Sequence, residues 1–424
     1  MANTITWSWN EIRQEFFSLS KDFVYMNNST FGVPFNSVRE RMNEVQRLYS
    51  EGCNLDLYVE EIVKKIGQVR NMMGETVNAY SYPSKHGRSY HVGNVNSVTE
   101  GMSLVANGLS FNKGDIVLIT DHEHEGGKLM WYLQRDRYKD LNISVVEVPL
   151  IVSNESGAPW EDAILERFEN KLKGMNGKVK VVSFSWITCS TGHVLPARKL
   201  CRLAKRYGAI SVVDAAQAFG VLPMDFQDVG CDFMVVNGHK YLNGPIGSGF
   251  ICIHPRQLEK GCFWPTIVDS HNFEPDKMPT SPYQKGGVAP YINILPLFEA
   301  LNFYNHLGKQ VVYERLLQIG SWLRKGLSQY PEVFELLTLT ESSWACVMTC
   351  FRIRGKDSED IFNKLKTPNE KWRPIHTKHA KEGNVDAIRI SPHYYNTTEE
   401  LEMLADALCT IAGVNRSLWP AFCG

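Results

Sequence analysis

Between about residues 95 and 255, short apolar runs rich in β-branched residues alternate with helical segments, and this alternation constrains the fold more than any other feature. The runs are Ile116–Thr120, Ile143–Val148, Val179–Phe184, Ile210–Val213, Phe233–Val236 and Gly249–Ile253. Runs that are apolar throughout, instead of every second residue, fit strands buried on both faces. Strand–helix alternation of this kind implies βαβ units around a mostly parallel sheet. The segment between the third and fourth runs has the face such a helix needs, with Leu200, Leu203, Ala204 and Tyr207 at helical spacing between Pro196 and Gly208.

At 424 residues the chain exceeds one average domain of about 150 residues. A Pro/Gly-rich passage from Pro275 to Pro290 interrupts the alternation. After it, Ile292 to Tyr330 reads as one or two long amphipathic helices, followed by strand signals at Cys346–Ile353 and Ala387–Ile390 and helical ones at Ser358–Leu365 and Thr398–Ala412. The expected organisation is an N-terminal segment over 1–45 that packs on the site or the small domain. A large α/β domain follows over 46–274, and a connector, long helix and small α+β domain over 275–424.

A net charge of −1 gives no electrostatic case for nucleic acid or an anionic membrane as partner. The N-terminus lacks a basic stretch followed by an apolar run, and no segment approaches the roughly 18 apolar residues of a span. The ten cysteines are scattered, without C-x-x-C or zinc-finger spacing, as expected of reduced packing residues in a cytoplasmic protein.

In an open α/β sheet, ligands bind beyond the carboxyl ends of the strands. Two runs deliver polar residues there: Val213 is followed by Asp214, with Gln217 three positions on, and Val236 by Asn237-Gly238-His239-Lys240. A lone Lys after a strand is usually solvated, and an Asp at a strand end is usually a cap or turn former. Together they are the pair that pyridoxal 5'-phosphate chemistry needs: an amine to form a Schiff base, and a carboxylate to keep the pyridine nitrogen protonated.

Two further stretches fit such a site. Ser97-Val98-Thr99-Glu100 reads as a capping box, whose free N–H groups and Thr99 hydroxyl suit a phosphate. Taken alone it is simply a well-capped helix. Asp121-His122-Glu123-His124-Glu125 follows the Ile116–Thr120 run. Its H-x-H spacing is not that of a known metal motif, so no metal is expected, and an imidazole stacking on an aromatic cofactor is the better reading.

The order of Thr99-Glu100-Gly101, Glu123-His124, Asp214-x-x-Gln217 and Gly238-His239-Lys240, ending with Arg389-Ile390-Ser391-Pro392-His393, resembles the class V aminotransferase superfamily of fold-type I pyridoxal-phosphate enzymes. The likeness runs from about residue 20 to 412 and is strongest to the isopenicillin N epimerase-like and cysteine desulfurase-like branch. It implies a seven-stranded, mostly parallel sheet between helices, plus a smaller C-terminal α+β domain. It also implies Lys240 as Schiff-base lysine and proton carrier, Asp214 as pyridinium partner, and Gln217 at the phenolic oxygen with Thr188 as a second contact. His124 is implied on the ring, Val98, Thr99, Asn237 and His239 around the phosphate, and Arg389 as the clamp for the substrate α-carboxylate. A homodimer follows from the same resemblance.

Two departures are informative. Desulfurases carry a mobile-loop cysteine shortly before the arginine, whereas Arg373 to Ala380 contains no thiol. Where members place Gly-Thr in the connector, this chain has Gly286-Gly287-Val288-Ala289. The expected activity is Schiff-base formation with an α-amino acid and Cα–H abstraction, leading to epimerisation or to β/γ-elimination or replacement. The alternatives are transamination and a non-catalytic cofactor-binding scaffold. His122, Tyr58, Tyr90, His376 and Tyr394 are the candidates for a second acid/base.

Overall fold

In a computed structural model, the described residues are 7–52, 64–84, 87–90, 92–150, 160–260 less its last position, 263–268, 290–383 and 385–423. The connector stretch Gly286–Ala289 and Tyr58 lie outside them, as does the side chain of Tyr90.

All six runs form strands, in one seven-stranded sheet. Its order is Val92–Val95, Gly249–Ile253, Phe233–Asn237, Ile210–Asp214, Val179–Ser185, Ile116–Thr120, Ser144–Val148. Gly249–Ile253 is antiparallel to both its neighbours, and the other pairings are parallel. The seventh strand, Val92–Val95, begins before the alternation read from the sequence; Gly93 and Asn94 interrupt its apolar signal.

Successive side chains of a strand point to opposite faces, so a strand apolar throughout feeds two cores. Val212, Phe233, Val235 and Ile251 join a core shared with Met102 and Val105 of the Val98–Gly108 helix. Their neighbours Val213, Met234 and Cys252 join the core on the other face, with Leu200 and Leu203 of the Ala197–Arg206 helix. Each fully buried Leu or Phe contributes about 1.5–3 kcal/mol of transfer free energy, which explains why these strands tolerate almost no polar residue before their ends.

The segment read as one or two long helices divides into three, Tyr291–Ile294, Leu297–Leu307 and Lys309–Ser328. Pro296 starts the second, and Gly308, at φ 89°, ends it. Beyond them a four-stranded antiparallel sheet runs Phe334–Leu336, Thr349–Ile353, Ala387–Ile390, Lys378–Ala380. Ile361 and Leu365 of the Ser358–Lys366 helix and Leu401, Leu404 and Leu408 of the Thr398–Ala412 helix pack into its core. The N-terminal segment crosses between the two sheets. Val24–Tyr25 pairs in parallel with Ile375–His376, and the Arg13 guanidinium holds the buried Glu400 carboxylate through two bonds of 2.8 and 2.6 Å.

Candidate active site

The carboxyl ends of the central strands, the N-terminal segment and the small sheet enclose a cavity of about 260 Å³, sized for a small molecule and not for a folded partner. Lys240, Asp214, Gln217, His124, Val98, Thr99, Asn237, His239 and Arg389, scattered over almost 300 positions of sequence, all line it.

Asp214 ends its strand and is buried. Its Oδ1 accepts the Ala216 N–H at 2.9 Å, while Oδ2 lies toward Gly127. Gly127 leaves room for the carboxylate, because a Cβ there would sit 3.0 Å from Oδ2. Burial pushes the Asp214 carboxyl above its ordinary value, so a cation beside it would be strongly favoured. Enclosure likewise holds the Lys240 amine below its ordinary value, toward the neutral, nucleophilic form.

The Lys240 backbone is fixed by its neighbours. Asn243 N–H donates to its carbonyl at 3.1 Å, and Gly32 packs so closely that any Cβ there would collide with that same oxygen. The Gly32 N–H donates to the His239 carbonyl at 2.7 Å. The N-terminal segment is thus part of the site, and Ser29, Thr30 and Phe31 line the cavity.

Ser97 caps the Val98–Gly108 helix by accepting the Glu100 N–H at 3.2 Å. The reciprocal half of the expected capping box is altered: Glu100 accepts the Asn96 N–H, not that of Ser97. Asn237 Oδ1 accepts the Val98 N–H at 2.9 Å and ties this helix start to the strand that leads to Lys240. His124 caps the next helix, its Nδ1 accepting the Gly126 N–H at 3.0 Å. Desolvation and the nearby Lys240 lower both His124 and His239, the latter to about 4, so both imidazoles are neutral at pH 7.

Arg389 is buried at 2% exposure, yet its hydrogen-bond partners among the described residues are all uncharged. It donates to the Cys189 carbonyl at 2.6 Å, the Cys189 sulfur at 3.3 Å and the Thr30 hydroxyl at 3.1 Å, and its Nε has no partner. A buried guanidinium without a counter-charge is costly unless a ligand supplies the anion.

Several expectations need correction. The Thr188 hydroxyl does not line the cavity; it accepts the His193 N–H at 2.8 Å and bonds Thr191 at 2.8 Å, and the next residue, Cys189, faces the site instead. None of the described acid/base candidates lines the cavity. His122 is buried against Asp121 at 2.8 Å, His376 packs on Phe23, and Tyr394 lies against His393 and Trp9. Lys378, Glu382 and Cys189 line it, unmarked by any motif. Ligand atoms of His124, Cys189 and Glu382 lie within 4.8 Å of one another, a grouping that does not involve His122, the other histidine of the Asp121–Glu125 loop.

The residues present fit a planar, anionic cofactor. Gln217 gives its Nε2 to the Ser29 carbonyl at 3.0 Å and leaves a buried Oε1 without a partner; His239 Nδ1 is likewise buried and unpaired. A helix N-terminus, a neutral imidazole and an enclosed Lys–Asp pair surround the same space.

The model of the family described as aminotransferase class-V matches residues 38–404. The isopenicillin N epimerase of Streptomyces clavuligerus is 26% identical over 420 residues, covering 96% of this chain and 98% of that protein. A probable cysteine desulfurase of Methanothermobacter thermautotrophicus is 26% identical over 421 residues, covering 93% and 96%. Among solved structures, a mutant of C-DES with glycine covalently linked to its PLP cofactor superposes with a TM-score of 0.78 at 24% identity, over 95% of this chain and 99% of that one.

Proposed function

The chain belongs to the aminotransferase class-V family, and from that premise we propose that it is a pyridoxal 5'-phosphate enzyme. It acts on an α-amino acid or a derivative of one, removes the Cα proton, and ends in epimerisation or in β/γ-elimination or replacement. The observation that supports this most is the meeting of Lys240, Asp214 and an Arg389 without counter-charge in one cavity.

When bound, the cofactor supplies an aldehyde for amines and a cationic ring that withdraws electrons from the substrate Cα. The protein's residues do the rest. Lys240 Nζ, kept toward its neutral form by enclosure, is the amine that holds the cofactor and then the base that takes the Cα proton. The Asp214 carboxylate would hold the ring nitrogen protonated, His124 would lie against the ring, and Gln217 would bond the phenolic oxygen. The helix start at Val98 and Thr99, with Asn237 and His239, would take the phosphate. Arg389 offers a planar fork to the α-carboxylate and so orients the Cα–H bond.

Non-transaminating chemistry is preferred because the relatives are named as an epimerase and a probable desulfurase. Persulfide transfer through a loop thiol before the arginine is not part of the proposal, since Arg373 to Ala380 has no cysteine. The enzyme works as a cytoplasmic homodimer. All eight cysteines among the described residues are free, in keeping with a reducing compartment, and no described helix is long and apolar enough to cross a membrane. Phe31, 46% exposed at the cavity, and Ile246, 63% exposed six residues beyond Lys240, are apolar surface for a second subunit to cover.

Incubation with an amino-acid panel in deuterated water tests the reading, with mass spectrometry following Cα exchange and products. Deuterium at Cα, with inverted or cleaved product, is expected. Bound cofactor without exchange in any amino acid would refute it.

A further inference from the structure

The Lys378–Ala380 strand and the turn after it bring two opposite charges to the cavity wall, Glu382 within 4.8 Å of His124 and Cys189, and neither makes a hydrogen bond or ion pair with a described side chain. Lys378 stands directly across from Arg389 in the antiparallel register, so two cationic side chains leave the same face of the sheet side by side. Like charges in that relationship repel unless an anion lies against them. Among the described residues no carboxylate pairs with either one, and Lys378 does not pair with Glu382, four residues on.

Glu382 presents the complementary problem. Its Oε2 is buried with no hydrogen-bond partner among the described residues, although the residue lines the same cavity as Lys378 and Arg389. A buried carboxylate oxygen without a donor is unfavourable, so the wall is incomplete until a ligand brings one. With one ligand carboxylate assigned to Arg389, a cation and an anion remain: the complement of a second ammonium and a second carboxylate.

We propose that the substrate is an amino acid whose side chain itself ends in an ammonium–carboxylate pair, with the distal ammonium on Glu382 and the distal carboxylate on Lys378. This rests on the reading of Lys240 and Arg389 given above. A neutral side chain would leave both wall charges unpaired as it displaced water from them, and polar sites left unpaired in this way discriminate strongly.

The test compares four cysteine thioethers of similar length on the cofactor-loaded enzyme: lanthionine, S-aminoethylcysteine, S-carboxyethylcysteine and S-propylcysteine. Affinity is measured by calorimetry, and kcat/KM by Cα exchange. Lanthionine is expected to bind at least about tenfold more tightly than S-propylcysteine, with each singly charged compound between them. Glu382→Gln should cut the lanthionine-to-propyl ratio by about tenfold, chiefly through KM, and Glu382→Lys should make S-carboxyethylcysteine the preferred ligand. Equal binding of all four, or variants that weaken lanthionine and S-propylcysteine by the same factor, would overturn the inference. Borohydride labelling of the same samples separates the two readings. A labelled Lys240 with charge-blind binding sinks this inference alone, whereas an unlabelled Lys240 sinks the cofactor reading beneath it.

Discussion

The Arg389 guanidinium reaches from the small sheet to the Cys189 backbone carbonyl at 2.6 Å and the Cys189 sulfur at 3.3 Å, closing the cavity from the side opposite the central strands. The loop after the Val179–Ser185 strand thereby fixes the orientation of the fork. Arg389→Lys keeps the charge but loses the parallel donors. It should raise KM for the α-amino acid by about 2–5 kcal/mol equivalent, some 30-fold or more, as measured by steady-state Cα exchange.

Asp214→Asn keeps an oxygen for the Ala216 N–H and removes the charge. Loss of one partner from a buried charge pair costs about 3–5 kcal/mol, so Cα exchange should fall by about two to four powers of ten. Exchange at wild-type rate in this variant would remove Asp214 from the site chemistry.

Glu123 lies buried behind Asp214, accepting from the Thr120 hydroxyl at 2.5 Å and from the Ser185 N–H and hydroxyl at 3.1 and 2.5 Å. Burial, reinforced by Asp214, raises its carboxyl from 4.5 to about 7. The folded state therefore holds this proton more tightly than the unfolded one. The group costs nothing below about pH 4.5, and its penalty grows as pH rises to about 7 and persists above that. Glu123→Gln keeps one oxygen to accept from the Thr120 hydroxyl and the Ser185 N–H, and its NH2 donates to the Ser185 hydroxyl, which reverses that one bond and removes the charge. Denaturant titrations should show it gaining roughly 3 kcal/mol over wild type between pH 4.5 and 8; a pH-independent difference would contradict the assignment.

Gly32→Ala places a Cβ against the Lys240 carbonyl oxygen. Either the N-terminal segment or the Lys240 turn must move, at about 1–3 kcal/mol. Lower stability is expected together with weaker cofactor binding, measured by thermal melts with and without added cofactor. A stability loss with unchanged cofactor affinity would separate the segment from the site.

The strands were legible because burial on both faces leaves an uninterrupted apolar signature, ended by the polar residue the site uses. Val92–Val95 was not, since an edge strand four residues long can carry Gly93 and Asn94. Pro296 and Gly308 split the long helical segment at positions its periodicity alone does not mark. In the cavity, residues held by local motifs could be named in advance. Thr188 and Cys189 differ by one position in a loop without periodicity, so which of them faces inward depends on the Thr191 and His193 contacts. Lys378 reaches the cavity through its register with Arg389 and Glu382 through the turn that follows the strand, tertiary relationships with no sequence signal.

Borohydride reduction of the purified, cofactor-loaded protein, followed by peptide mapping, tests the central claim most directly. A single stable adduct on Lys240, absent from Lys240→Ala, is the predicted result. An adduct on another lysine, or one that survives in Lys240→Ala, would contradict it.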